Sequence, residues 1–118
     1  MISKELLSEV LKETIREVYK IGSNSNFKQN TLLFKLYGSG ELCHINIYEL
    51  AHKCKEWAKS KGYYLRAAQG INYHDNLQWT CFLNINMDDG AEYIDYWNST
   101  EVEAIIKACQ WILDKDSK

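Results

Sequence analysis

The sequence predicts an α+β fold with two layers, in which two helices pack on one face of an antiparallel sheet of three to five strands. Apolar residues recur at helical spacing near both ends and in the middle of the chain. Between the middle and final helical segments, apolar and polar residues alternate as they do in half-buried strands. The 118 residues suit one domain. We therefore expect a single domain over 1–118, with an α-β-β-β-α core (46–113) and an N-terminal helix and strand (1–40).

The N-terminal extension begins with a predicted helix over 3–21, for which Ser3 is the expected N-cap. Its apolar residues recur at helical spacing: Leu6, Leu7, Val10, Leu11, Ile15 and Val18. A Gly/Ser/Asn-rich loop (22–30) and a strand (31–37) follow, and a turn then leads to a second short strand. We expect the strand to extend the sheet. The helix is expected either to cover the second sheet face or to pair with another copy of the chain.

The core begins and ends with a helix. Asn46 is the predicted cap of a helix over 47–61, which ends at Gly62. The last helix is predicted over 99–113, with Ser99 or Thr100 as its cap.

Between these helices, three strands are predicted at 63–69, 77–86 and 92–97. The second of these has the clearest alternation of apolar and polar residues. A loop (70–76) and an Asp-Gly hairpin turn connect the three. The strands should therefore form an antiparallel meander, with both helices packed on its apolar face.

The segment from Cys43 to Cys54 has the composition of a metal site, because it contains two cysteines and two histidines within twelve residues. Its spacing does not suit zinc, which needs about four converging ligands. On the predicted helix Cys54 faces the core, whereas His52 faces solvent. Cys43 and His44 are adjacent in an extended segment and point to opposite sides. No metal site is predicted, and only proximity of Cys43 to Cys54 stays open.

The remaining cysteines, Cys81 and Cys109, also fall on predicted apolar faces, where thiols behave as small hydrophobic groups. No C-x-x-C pair, phosphate-binding loop or dinucleotide-binding motif is present. We therefore expect a protein that is not an enzyme and has no cofactor.

The polar face of the predicted meander is the candidate binding surface. It combines aromatic rings with an arginine, a composition suited to stacking on a ligand or packing against a partner. The alternative is that the N-terminal helix covers this face. The candidate binding residues are Tyr64, Arg66, Phe82, Tyr93 and Trp97.

Charge and hydropathy narrow the classes of partner and the compartment. The net charge is −2, which gives no electrostatic reason to bind nucleic acid or an anionic membrane. No apolar stretch is long enough to span a membrane. The N-terminal segment carries acidic residues throughout and lacks the apolar centre of a signal peptide. We expect a cytoplasmic protein with reduced thiols.

The order helix, three strands, helix over 46–113 resembles the double-stranded RNA-binding domain. That resemblance implies contact with RNA through the first helix, the loop after the first strand and a lysine-rich start of the last helix. Here the last helix opens with Glu101 and Glu103, which are acidic where that family is basic.

The last 70 residues also resemble small phage and prophage proteins, including those described as a phage αβα-sandwich domain. The resemblance rests on the helix 49–62, the tryptophan-bearing hairpin 77–97 and the Thr-Glu-x-Glu-Ala-Ile-x-Lys-Ala start of the helix 100–113. It implies a mobile-element accessory protein and supplies no catalytic residues. The leading hypothesis is a phage-derived protein-interaction or adaptor domain. Its expected partner is another protein or, through the N-terminal helix, a second copy of the chain in a homodimer. The alternative is a nucleic-acid-binding protein with a double-stranded-RNA-binding-like fold.

Overall fold

The fold was analysed in a computed structural model that describes residues 2–19, 30–38, 40–71, 77–85, 91–98 and 100–116. Within these ranges, the side chains of 84, 85, 91–98 and 116 are not described. The described residues form three helices and six strands, which confirms the α+β class. The helices are α1 (Lys4–Leu11), α2 (Ile47–Ser60) and α3 (Glu101–Asp116). The strands are β1 (Ile15–Val18), β2 (Thr31–Leu36), β3 (Leu42–Asn46), β4 (Tyr63–Ile71), β5 (Leu77–Ile85) and β6 (Ala91–Asn98).

The N-terminal helix is much shorter than the predicted span of 3–21. Ser3 caps it as expected, because its Oγ accepts a hydrogen bond from Leu6 N at 3.1 Å. The helix ends at Leu11, and Lys12 takes a left-handed conformation with φ 57°. The Ser8 side chain then accepts a hydrogen bond from Ile15 N at 3.2 Å, which turns the chain into β1. The prediction was wrong for 12–18, because capping and strand pairing outweigh a helical pattern of apolar residues there.

Both core helices begin and end close to the predicted positions. Asn46 Oδ1 accepts hydrogen bonds from Tyr48 N at 2.8 Å and Glu49 N at 3.4 Å, as an N-cap does. The chain leaves α2 through Gly62, whose φ of 91° favours glycine. Thr100 Oγ1 accepts from Glu103 N at 3.2 Å, so Thr100 caps α3. The other predicted cap, Ser99, lies outside the described residues.

The strands form two separate sheets rather than one extended sheet. β1, β2 and β3 form an antiparallel sheet with β2 in the centre. The expectation that the N-terminal strand extends the meander is therefore wrong. β2 pairs with β1 and β3, the strands before and after it in the sequence, because 15–18 forms a strand instead of a helix.

The second sheet is the predicted antiparallel meander, in the order β4-β5-β6. Most of its predicted loop (70–76) and most of its predicted hairpin turn (87–91) lie outside the described residues, but Gly70 and Ile71 belong to β4 and Ala91 belongs to β6. The register between β5 and β6 shifts between Trp79 and Cys81. Trp79 pairs with Asn98 and Cys81 pairs with Ile94, so three residues of β6 lie opposite one residue of β5.

A single buried cluster joins the helices to both sheets. α2 and α3 pack against each other and against the second sheet, whereas α1 packs against β1, α2 and α3. The cluster draws on every helix and both sheets, including Leu7, Leu32, Leu50, Leu83 and Ile106. Leu6 and Leu7 of α1 have no exposed surface. The N-terminal helix is therefore a structural part of the core.

This position of α1 predicts a large stability effect for Leu7→Ala. Truncation of a fully buried leucine should lower the free energy of unfolding by about 2–5 kcal/mol, because contacts and buried apolar surface are lost together. Urea denaturation followed by circular dichroism measures the change. The matched control on the same helix is Lys4→Ala, an exposed position that should change stability by less than about 0.5 kcal/mol. Equal stability of the Leu7→Ala and parent proteins would contradict the packing of α1.

Candidate functional site

The candidate surface lies on the face of the second sheet that points away from the helices. Alternation along β4 places Tyr63 in the core with 9% exposure, whereas its neighbour Tyr64 is 40% exposed. Arg66 is also exposed, and Phe82 of β5 is half-buried. Three of the five candidate residues therefore lie on the face opposite the helices, and their role in binding stays a prediction.

Arg66 and Phe82 form the centre of this surface. They are paired in the β4–β5 register, and the Arg66 guanidinium carbon lies 5.1 Å from the centre of the Phe82 ring. This distance is typical of a cation–π interaction. The contact holds the guanidinium against a ring on an open face. Arg66 is thus positioned without being buried.

Tyr93 and Trp97 belong to β6, where only the backbone is described. The backbone of Tyr93 pairs with Phe82, so a row of register positions runs from Arg66 through Phe82 to Tyr93. Trp97 lies in the interval where the register shifts. Simple alternation from Tyr93 therefore does not determine which face Trp97 occupies. The side-chain predictions for both residues fall outside the described part of the chain.

Thr80 shows that the face is not open along its whole length. It has the same parity on β5 as Phe82, yet it is only 3% exposed. A threonine on the polar face of a half-buried strand is expected to be exposed, and this one is not. We call the part of this face formed by Tyr64, Arg66 and Phe82 the Tyr64–Phe82 patch.

The N-terminal helix does not occupy this patch. Among the described residues α1 packs with β1, α2 and α3 and has no comparable contact with β4, β5 or β6. The expectation that α1 covers the second sheet face is therefore wrong. The apolar stripe considered for self-association is itself buried within the chain, because Leu6 and Leu7 have no exposed surface.

The Cys43–Cys54 segment has the geometry that its spacing predicts. Cys54 has no exposed surface, whereas the His52 side chain is 73% exposed and lies 3.7 Å from Glu56. Cys43 is half-buried and His44 is exposed on β3. Within the described ranges, no group of three or more His, Cys, Asp or Glu residues could hold a metal ion.

The thiol contact of Cys54 is with Cys109 of α3. The Cys109 thiol donates a hydrogen bond to the Cys54 carbonyl oxygen at 3.4 Å, and neither residue has exposed surface. Sequence reasoning placed both residues on apolar stripes but did not pair them. The available signal was that both helices pack on one sheet face, which brings their stripes together.

The thiols of Cys81 and Cys109 are held in the protonated form. Burial raises the pKa of Cys81 to about 11. Hydrogen bonding to the Cys54 side chain, and then burial, raise the pKa of the Cys109 thiol. Since the thiolate is the nucleophile, these two groups are poorly suited to nucleophilic chemistry at neutral pH.

Trp57 of α2 is a second feature that the sequence did not indicate. It is 7% exposed, and its indole Nε1 is a buried donor with no hydrogen-bond acceptor among the described residues. Leaving a buried donor unpaired costs about 1–3 kcal/mol. Trp57 also lines an open groove between α1 and α2.

Comparisons with known proteins supply no family for this chain. No protein family matches it, and neither curated proteins nor solved structures give a match. None of the described helices has both the length and the apolar character needed to cross a membrane.

The burial of the cysteines predicts selective labelling by a thiol reagent such as Ellman's reagent at pH 8. Cys43 should react much faster than the other three, because it alone is only half-buried. At that pH about one Cys81 thiol in a thousand is ionised in the folded protein, as follows from its pKa of about 11. The absorbance of the thiolate that the reagent releases measures the rate of labelling.

Two controls interpret the rates. Cys43→Ser should remove the fast phase, and concentrated denaturant should expose all four cysteines. Fast reaction of Cys54 or Cys109 in the folded protein would contradict the packing of α2 against α3.

Proposed function

We propose that this protein is a small non-enzymatic interaction domain that binds a protein partner through the Tyr64–Phe82 patch. The observation that carries the proposal is the Arg66 guanidinium held 5.1 Å from the Phe82 ring centre on a face that α1 leaves open. Tyrosine and arginine are among the residues that contribute most to binding energy in protein interfaces. The patch supplies both from one strand, β4.

The chemistry of the patch favours a peptide segment that carries a carboxylate. A guanidinium presents a planar fork of N–H donors that matches the two oxygens of a carboxylate. Contact with Phe82 limits the conformations of Arg66, so less entropy is lost when the partner binds. The exposed ring of Tyr64 offers an apolar surface beside the charge.

The proposal includes an origin in a phage or another mobile element. Its support is the resemblance of the last 70 residues to small phage proteins, which rests on the α2 sequence, the β5–β6 hairpin and the start of α3. Proteins of this kind act as accessory factors, which agrees with an interaction domain. The partner surface is assigned to the sheet rather than to α1, since the apolar residues of α1 are buried in the chain.

Selection from a displayed library of random peptides tests the proposed surface. The immobilised protein should enrich peptides that contain Asp or Glu near an apolar residue. Titration calorimetry with an enriched peptide should then show a loss of affinity of roughly tenfold for Arg66→Ala and for Phe82→Ala. A loss of this size is typical of residues that contribute strongly to binding energy in an interface.

The matched control is Lys59→Ala, which removes a cation from the exposed surface of α2. It should leave the affinity of the peptide unchanged. Enriched peptides that bind all three variants as tightly as the parent protein would reject the patch, as would a selection that enriches no peptide.

The second candidate is binding of double-stranded RNA. It is favoured by the packing of α2 and α3 on the β4-β5-β6 sheet, which matches the element order of that domain. Opposing it are Glu101 and Glu103 in the first turn of α3, where phosphates would be repelled.

A gel-shift titration with a 20-base-pair RNA at low salt separates this candidate from the first. A protein-interaction domain should give no shift below about 100 μM, which is the weak limit of non-specific affinity. A shift at lower concentration that weakens steeply with added salt would favour the RNA-binding function instead.

A further inference from the structure

The second sheet has an edge strand, β4, whose outer side pairs with no other strand among the described residues. The strand order is β4-β5-β6 and the first sheet is separate, so the strand partner of β4 is β5. In an edge strand, alternate backbone N–H and C=O groups point outward, where they can pair with another chain. β4 is also long, with nine residues from Tyr63 to Ile71.

Most of the features by which edge strands avoid such pairing are missing from β4. Charged side chains, proline and β-bulges commonly block the addition of another strand. β4 contains no proline and a single charged residue, Arg66. Its register with β5 continues without a bulge from the pair Tyr63–Ile85 to the pair Ile71–Leu77. The outer side of β4 therefore has the form of a template for one more strand.

A second copy of β4 is complementary to the first in antiparallel register. When a two-fold axis passes through Ala67, every residue of one strand lies opposite a residue of the other. Arg66 then lies opposite Ala68, so like charges are not directly opposed. An axis through Arg66 would set this residue opposite its own copy. An axis through Ala68 would leave Tyr63 and Tyr64 without a counterpart in the second strand.

The cation–π contact of Arg66 limits repulsion between the two copies. Arg66 and its copy are diagonal neighbours in this register, at roughly 7–8 Å. The guanidinium carbon lies 5.1 Å from the centre of the Phe82 ring, which belongs to β5. Each arginine side chain is therefore directed toward β5 of its own chain and away from the shared edge. Repulsion between the two charges falls as their separation increases.

The two ends of β4 are complementary in their side chains. Ile71 is 68% exposed at one end, although it is a large apolar residue. In the antiparallel register it lies opposite Tyr63 of the second copy. Tyr63 forms an edge-to-face contact with Trp111, with 6.1 Å between the ring centres, so an aromatic surface is present at that end. Pairing therefore covers the exposed Ile71 of both copies.

We propose that two copies of the chain associate through β4, in antiparallel register about Ala67, to form one continuous sheet. The interface consists mainly of one pair of strands, so the dissociation constant is on the order of 100 μM. At about 10 μM most copies are single, and measurements of stability at that concentration report on one chain. The proposal is independent of the proposed protein partner, because pairing uses the backbone edge of β4.

Sedimentation equilibrium of the full chain tests the association. Between about 10 μM and 1 mM, the average mass should rise from near the 13.8 kDa of one chain toward the mass of two.

Nuclear Overhauser effects at the high concentration test the register. Tyr63 and Ile71 lie at opposite ends of β4, roughly 26 Å apart in one chain, which is too far for a direct effect. A signal between their protons therefore arises only between two copies, and the proposed register predicts it.

A matched pair of lysine variants tests the contact at the strand ends. Ile71→Lys should weaken association by about tenfold, because it places a charge beside Tyr63 and near Lys115, whose Nζ lies 4.7 Å from the centre of the Trp111 ring. Leu77→Lys makes the same change on β5, at the position that pairs with Ile71 and is 63% exposed. It lies away from the shared edge and should weaken association by less than about threefold. Circular dichroism checks that both variants keep the fold.

Three results would overturn the proposal. The first is a mass that stays at that of one chain up to 1 mM, and the second is a dimer that gives no signal between Tyr63 and Ile71. The third is equal weakening by Ile71→Lys and Leu77→Lys. A protein that binds its selected peptides through the Tyr64–Phe82 patch but never dimerises would reject this proposal and leave the proposed function in place.

Discussion

The close packing of α2 against α3 is the constraint on which the rest of the structure depends. At this contact the thiol of Cys109 donates a hydrogen bond to the carbonyl oxygen of Cys54, and neither residue has exposed surface. Only small side chains allow the helices to approach so closely while both cover the same sheet. Because the two helices share one face of the β4-β5-β6 sheet, the other face is directed away from the core and leaves Tyr64 and Arg66 exposed.

The helix pair also determines where the N-terminal segment can pack. The Ser3 hydroxyl caps α1 by accepting a hydrogen bond from Leu6 N, and its O–H donates a hydrogen bond to Gln110 Oε1 at 2.7 Å. The second bond connects α1 to α3 across most of the sequence. With α1 held on the helical layer, its C-terminal end stands beside α2, and Trp57 lies in the lining of the resulting groove. The same arrangement that leaves the sheet face open therefore also forms the groove.

Local patterns predicted most of the core and the side on which three candidate residues lie. Asn46 and Gly62 mark the ends of α2 through capping chemistry, and strict alternation identifies β5. The rest depends on contacts between distant residues. Ile15 fits a helical pattern equally well, and only pairing with Leu36 of β2 makes it part of a strand. The burial of Thr80 and the unpaired indole of Trp57 are likewise set by packing, which no local pattern records.

Hydrogen exchange of the α1 amides is the most direct test of an α1 that is part of the same core as α2 and α3. The informative amides are those of Leu7 and Val10, whose side chains are buried. The structure predicts that they exchange with an opening free energy close to that of the α3 amides, and that this value does not change with protein concentration. Fast exchange in α1 beside a protected α3, or protection that appears only at high concentration, would contradict this packing.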